Sequence, residues 1–148
     1  MKIFQLFVII ISAAFIIAGC GSSKESSKEE SQEMQLQSTP SGLKYADLTE
    51  GTGSRPTYGN KVTIAYVGKL ENGKVFESTY KSGKPMTIVL GHGDLIEGLQ
   101  EAILTMKEGG KRYLEIPPDL AYGSRGVRDV IPPNSTLVFE LELMKVEK

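Results

Sequence analysis

Near the end of the chain, Leu137, Phe139, Leu141 and Leu143 fall on every second residue, with Glu140 and Glu142 among those between them. Successive side chains of a strand point to opposite faces, so this run reads as a strand with one dry side and one wet side. Strands of that kind belong to antiparallel sheets that pack one face on a core and leave the other in water. The same alternation occurs at Val62, Ile64 and Tyr66, again at Met86, Ile88 and Leu90 before Gly91, and briefly at Leu114 and Ile116 before Pro117-Pro118. Glu71-Asn72-Gly73-Lys74 holds the Asn-Gly pair that favours a tight hairpin, with Val75 to Ser78 as the returning strand. With 16 glycines and 7 prolines in 148 residues, a helical bundle is excluded.

One segment changes period. Ile96, Leu99, Ile103 and Met106 follow at spacings of three, four and three, which makes a single helical stripe. Asp94 is positioned to cap that helix, Glu97 completes something close to a capping box, and Gly109-Gly110 supplies the stop. Gly98 inside the helix costs about 1 kcal/mol relative to alanine unless something packs closely against it. Four or more strands and one short helix across one face of an antiparallel sheet make an α+β domain, which begins near residue 41 and runs to residue 148.

The rest of the composition narrows the chemistry. The formal charge is −1, so a broad field for nucleic acid is missing. One cysteine and one histidine exclude a zinc ribbon, a disulfide scaffold and a Cys–His nucleophile pair, and no cofactor or metal is expected. Gly51-Thr52-Gly53 follows no apolar strand and precedes no helix, so it is no dinucleotide loop.

The single cysteine stands after a basic start and a short apolar run, Ile3–Ala18, in the layout of a signal peptide. The run is short for a bilayer span of roughly 20 residues. Ile17-Ala18-Gly19-Cys20 resembles the bacterial lipoprotein box, which implies a signal peptide over residues 1–19 and a lipid-modified Cys20; an ordinary secretory signal with an unrelated cysteine is the alternative. The resemblance implies a membrane anchor in the cell envelope. Gly21, where inner-membrane lipoproteins often carry aspartate, favours the outer membrane facing the periplasm in a two-membrane cell. In a one-membrane cell the protein would sit on the outer face of the plasma membrane. Residues 21–40 are serine-rich and charged, with only Met34 and Leu36 strongly apolar, so residues 20–40 are expected to be a disordered tether.

From Ser41 onward the chain resembles the FK506-binding-protein family of peptidyl-prolyl cis–trans isomerases. The residues that carry the resemblance are Val62–Gly68, Gly73–Ser78, Leu90-Gly91 with Ile96–Leu99, Pro117–Gly123, and Ile131–Phe139. It implies a bent antiparallel half-barrel wrapped around one short helix. It also implies a proline pocket in which Tyr66, Phe76, Glu77, Tyr122 and Phe139 serve catalysis and Met86, Leu95, Ile96, Leu99, Val130 and Ile131 bind substrate. Leu99 would be the floor, Phe76 and Phe139 the aromatic walls, and Tyr122 and the Ile96 amide donors to substrate carbonyls. The chemistry suits such a lining. Rotation about X–Pro breaks no bond and faces a barrier near 18–20 kcal/mol, so an apolar cavity that disfavours the planar, polar amide can accelerate it. A non-catalytic binding module of the same fold, holding proline-containing segments, is the alternative.

Three positions depart from the family pattern: Glu77 where aspartate is usual, Leu99 where tryptophan is usual, and Met86 in place of an aromatic. They imply a looser pocket, reduced turnover and weakened macrolide binding, with the Glu77–Tyr66 hydrogen bond shifted or lost. No dimerisation arm of the kind some relatives carry is evident, so the expected partners are proline-containing polypeptides and the membrane, with the domain a monomer.

Overall fold

In the computed structural model, which describes residues 34–148, each alternating run becomes a strand of one antiparallel sheet. The strands are β1 (Gln37–Ser38), β2 (Lys44–Thr49), β3 (Lys61–Leu70), β4 (Val75–Ser78), β5 (Met86–Val89), β6 (Lys111–Ile116) and β7 (Leu137–Glu147). A one-turn helix, α1 (Thr79–Ser82), follows β4, and the main helix, α2 (Glu97–Thr105), lies between β5 and β6. The order across the sheet is β1-β2-β6-β7-β3-β4, with β5 also paired to β3. The last strand of the chain is therefore one of the central ones. β3 is the other, and it serves two short neighbours on its far side: β5 along Lys61–Ile64 and β4 along Val67–Lys69. This open sheet with one covering helix is the α+β architecture expected.

The inner face carries Val62, Ile64, Tyr66, Leu114, Ile116, Leu137, Phe139, Leu141 and Leu143, all buried, and α2 lays Leu99, Ala102 and Ile103 on it. Gly98 is the closest approach. A Cβ there would stand 2.4 Å from Ile116 Cγ2, so the residue that weakens the helix is the one that lets it reach the sheet. The outer face is wet and carries cross-strand pairs such as Lys69–Glu140 at 2.6 Å and Lys111–Glu142 at 3.1 Å. At one end of the inner face the buried Arg112 binds the Asp47 carboxylate through Nε and Nη2 at 2.7 and 3.0 Å. Its Nη1 donates to the Ala102 carbonyl and to Thr105 Oγ1, so a cation satisfies the helix C-terminus and ties it to the sheet.

Three expectations are corrected. Asp94 does not cap α2: the N-cap is Ile96, whose carbonyl accepts from Leu99 and Gln100 and whose side chain packs on the core. The helix ends at Thr105, not at Gly109-Gly110, because Met106 turns extended to bury its side chain; Gly109, at φ +85°, serves the turn into β6. The domain also starts before residue 41. Gln37–Ser38, at the end of the expected tether, pairs with Tyr45 and Lys44, and Tyr45 Oη donates to Gln37 Oε1 at 3.0 Å. The signal segment, Cys20 and the tether up to residue 33 lie outside the described residues.

Candidate active site

The concave side of the sheet closes on a cluster of aromatic rings whose position is set by backbone features. In the β3–β4 pairing Gly68 faces Glu77 and Lys69 faces Val75, which leaves Phe76 as the extra residue of a β-bulge. A bulge re-aims the side chain it displaces. Here it sets Phe76 edge-on to Phe139, with ring centroids 5.7 Å apart at 85°. Phe139 in turn meets Tyr66 at 5.8 Å and 61°. Edge contacts of this kind contribute about 0.5–1.5 kcal/mol each beyond the area they bury. Both phenylalanine rings lie over Gly68, where a Cβ would come within 2.7 Å of Phe76 Cζ and 2.9 Å of Phe139 Cε1. Glycine at residue 68 is thus a requirement of the aromatic walls.

Tyr66 sits where β3 is least supported. β5 leaves the strand at Ile64 and β4 joins it at Val67, so the outward edge of Tyr66 has no strand partner there. The buried Thr79, first residue of α1, fills the gap. Its hydroxyl accepts from the Tyr66 N–H at 2.8 Å and donates to the Tyr66 carbonyl at 3.2 Å. The Tyr66 side chain is almost fully covered, and its hydroxyl donates to Met86 Sδ at 3.8 Å, a weak acceptor. Burial pushes its pKa well above the ordinary tyrosine value, and the neighbouring Glu77 carboxylate adds to the rise. Glu77 acts on Tyr66 both as a side-chain hydrogen-bond partner and through its charge. Tyr122 is raised in the same way, by burial first and by Glu77 second. Two neutral phenols therefore flank one exposed carboxylate at the mouth of the site.

The structure brings the candidate residues together. Leu99 and Ile131 share one buried cluster with Tyr66 and Phe139, and Phe76, Met86, Leu95 and Ile96 pack against it from partly buried positions. Tyr122 and Val130 are exposed at 39% and 41%, as rim residues would be. A groove of about 440 Å³ opens beside Tyr66, Glu77, Thr79 and Met86. The Ile96 N–H has no acceptor among the described residues, which leaves it available at the entrance to α2.

Three residues escaped the sequence reading. Thr79 acts through a main chain thirteen positions away in sequence. Gly68 gave only a small residue in a strand. Gly126, at φ +60°, allows the rim loop to fold so tightly that a Cβ would meet the Ile131 carbonyl oxygen at 2.3 Å. The last two had a signal, since a glycine inside a strand or in a loop between motifs marks a close backbone approach. Thr79 had none.

The chain is similar to known proteins of one family. Residues 53–144 match the family described as FKBP-type peptidyl-prolyl cis-trans isomerase. An FK506-binding protein of Neisseria meningitidis is 49% identical over 105 residues, covering 71% of this chain and 96% of the relative. The peptidyl-prolyl cis-trans isomerase Mip of Coxiella burnetii is 45% identical over 107 residues, 72% of this chain and 46% of that protein. Among solved structures, FkpA from Escherichia coli superposes with a TM-score of 0.72 at 40% identity, covering 78% of this chain and 53% of the other.

Proposed function

The chain belongs to the FKBP-type peptidyl-prolyl cis–trans isomerase family and is a peptidyl-prolyl isomerase; from that premise we propose that it turns X–Pro bonds over in the aromatic cavity and serves the folding of exported proteins. The observation that carries the reading is the packed set of Tyr66, Phe76 and Phe139 over Gly68, with Leu99 buried beneath. A proline ring entering against these rings takes its amide out of water. The planar amide is the more polar form and loses more solvation than the twisted one, so the barrier falls. No nucleophile is required. The Ile96 N–H and the Tyr122 hydroxyl are the donors we assign to the carbonyls flanking the proline. Both phenols stay neutral at physiological pH, which keeps their hydroxyls as donors. Glu77 would sense the substrate backbone at the rim.

The departures at Glu77, Leu99 and Met86 support an enzyme slower than family members with the usual residues and weaker in macrolide binding. The test is acceleration of cis–trans exchange in an X-Pro-Phe peptide by the full chain in mild detergent, titrated with a macrolide inhibitor. We expect acceleration that the inhibitor abolishes and that Phe76→Ala reduces by at least tenfold. A folded Phe76→Ala variant that loses exchange but still suppresses aggregation of an unfolded client would favour the binding-module role beside catalysis. Undiminished exchange in that variant would overturn the assignment of the cavity.

We further propose that Cys20 carries the lipid and holds a monomeric domain at the envelope surface, the outer membrane in a two-membrane cell. The sequence Ile17-Ala18-Gly19-Cys20 supports this. Mass spectrometry of the mature N-terminus, with Cys20→Ser as control, is the measurement. An unmodified cysteine would sink the proposal.

A further inference from the structure

On the outer side of the rim loop a second groove, of about 510 Å³, runs between the β3–β4 hairpin and the segment from Arg125 to Pro133. Leu70, Val127, Val130 and Ile131 give it an apolar lining, while Lys74, Arg125 and Arg128 bring three cations against the single carboxylate of Asp129. Elsewhere on the described surface, lysines of the sheet face glutamates across the strands: Lys44–Glu115, Lys61–Glu147, Lys69–Glu140 and Lys111–Glu142. The three groove cations form no ion pair among the described residues. Three cations and one carboxylate thus meet in one groove of a chain whose formal net charge is −1.

The loop presents those cations on a fixed frame. Val127 and Ile131 exchange both backbone hydrogen bonds at 2.8 Å, and Val130 N–H donates to the Val127 carbonyl at 3.0 Å. Gly126 and Asp129, at φ +60° and +61°, make the two reversals this small ring needs. The groove shares a residue with the aromatic cluster. Val130 and Ile131 line it on one side, and Ile131 belongs on the other to the buried cluster with Tyr66, Leu99 and Phe139. On the proposed reading, a chain held by its proline against the aromatic rings would have its neighbouring residues at this loop.

We propose that the groove reads acidic side chains next to the substrate proline, with Arg125 and Arg128 as the specificity-determining residues. A guanidinium fork matches a carboxylate in geometry as well as charge, and the apolar lining carries the methylenes of aspartate or glutamate. The inference rests on the isomerase reading of the cavity and adds substrate selection to it. Favoured clients carry Asp or Glu within a few residues of the proline that is turned over.

The test uses the full chain and fluorescein-labelled peptides of one length with a central proline. Residues on either side of the proline are Glu, Gln or Lys. Affinity is read by anisotropy and exchange by NMR. We expect Glu peptides to bind roughly threefold to tenfold tighter than Gln peptides at low ionic strength, and Lys peptides to bind weakest. The preference should shrink at about 0.5 M salt and vanish in the Arg125→Gln/Arg128→Gln double variant, whose thermal midpoint checks its fold. Equal affinities for Glu and Gln peptides, or no measurable binding, would overturn the proposal. Peptides that bind with the expected charge order but are not turned over would leave the groove standing and remove the catalytic reading. Capture of phosphatidylglycerol vesicles that needs both arginines, without a peptide preference, would assign the groove to the membrane surface instead.

Discussion

Tyr66 is held by its main chain, and the hold is a single hydroxyl. Replacing Thr79 with valine keeps the volume but leaves the buried Tyr66 N–H and carbonyl without the partners they have now. An orphaned buried polar group costs about 1–3 kcal/mol. We expect Thr79→Val to lower the unfolding free energy by that amount and to reduce kcat/KM roughly tenfold through kcat, since the phenol is misplaced. Thr79→Ser should restore both. A variant that loses stability with kcat untouched would make Thr79 a fold residue only. The phenols themselves give a pH prediction. The Tyr66 and Tyr122 pKa values are raised by burial and by Glu77, so the folded state keeps these protons where the unfolded chain has begun to release them. Their contribution to stability is whole below about pH 10, the ordinary tyrosine value, and is lost as pH rises through the higher native values. Urea midpoints should be flat from neutral pH to about pH 9 as far as these two groups are concerned, and fall above pH 10; a midpoint that rises there would contradict the sign.

At the scale of elements, the period of the apolar residues told strand from helix, because burial on one face imposes that period whatever the neighbours are. It did not tell where α2 begins and ends. Asp94 and Gly109-Gly110 have the right chemistry for caps, but the burial of Ile96 and Met106 decides the boundaries, and that depends on the sheet beneath. Nor did sequence show the bulge at Phe76, which is a count between two strands. The same contest of local against tertiary preference is measurable at Gly98. Alanine there favours the helix by about 1 kcal/mol but would press on Ile116 Cγ2, where overpacking costs about 1–3 kcal/mol. We expect Gly98→Ala to lower the thermal midpoint and Gly98→Ala with Ile116→Val to recover part of it. A single variant more stable than the parent would show that Ile116 yields freely.

For the whole molecule the decisive fact is the placement of β7. The strand pairs with β3 from Lys61 to Leu70 on one side and with β6 from Lys111 to Ile116 on the other, joining segments far apart in the chain. Alternation identified β7 as a strand, yet nothing local could say that it is central, because pairing partners are chosen by the closure of the entire sheet. Its inner face supplies Leu137, Phe139, Leu141 and Leu143, so it contributes one aromatic wall of the site and much of the core at once. The first strand is the opposite case. β1 is two residues long, lies at the edge and buries nothing. Two truncations separate these roles. Removing everything before Thr39 should change the unfolding free energy by less than about 1 kcal/mol and leave isomerase activity intact, because among the described residues only edge bonds and the Tyr45–Gln37 contact go. Removing residues 138–148 should leave a chain without cooperative unfolding. It loses two ladders and three fully covered leucine or phenylalanine side chains, each contributing about 1.5–3 kcal/mol by burial. Those three alone amount to about 4.5–9 kcal/mol, comparable to a whole domain's stability margin of about 5–15 kcal/mol, and the lost ladders and newly exposed partners come in addition. If the shortened chain still melts in one transition, β7 is a cover over a core that β3 and β6 complete without it, and the site loses its wall but not its frame.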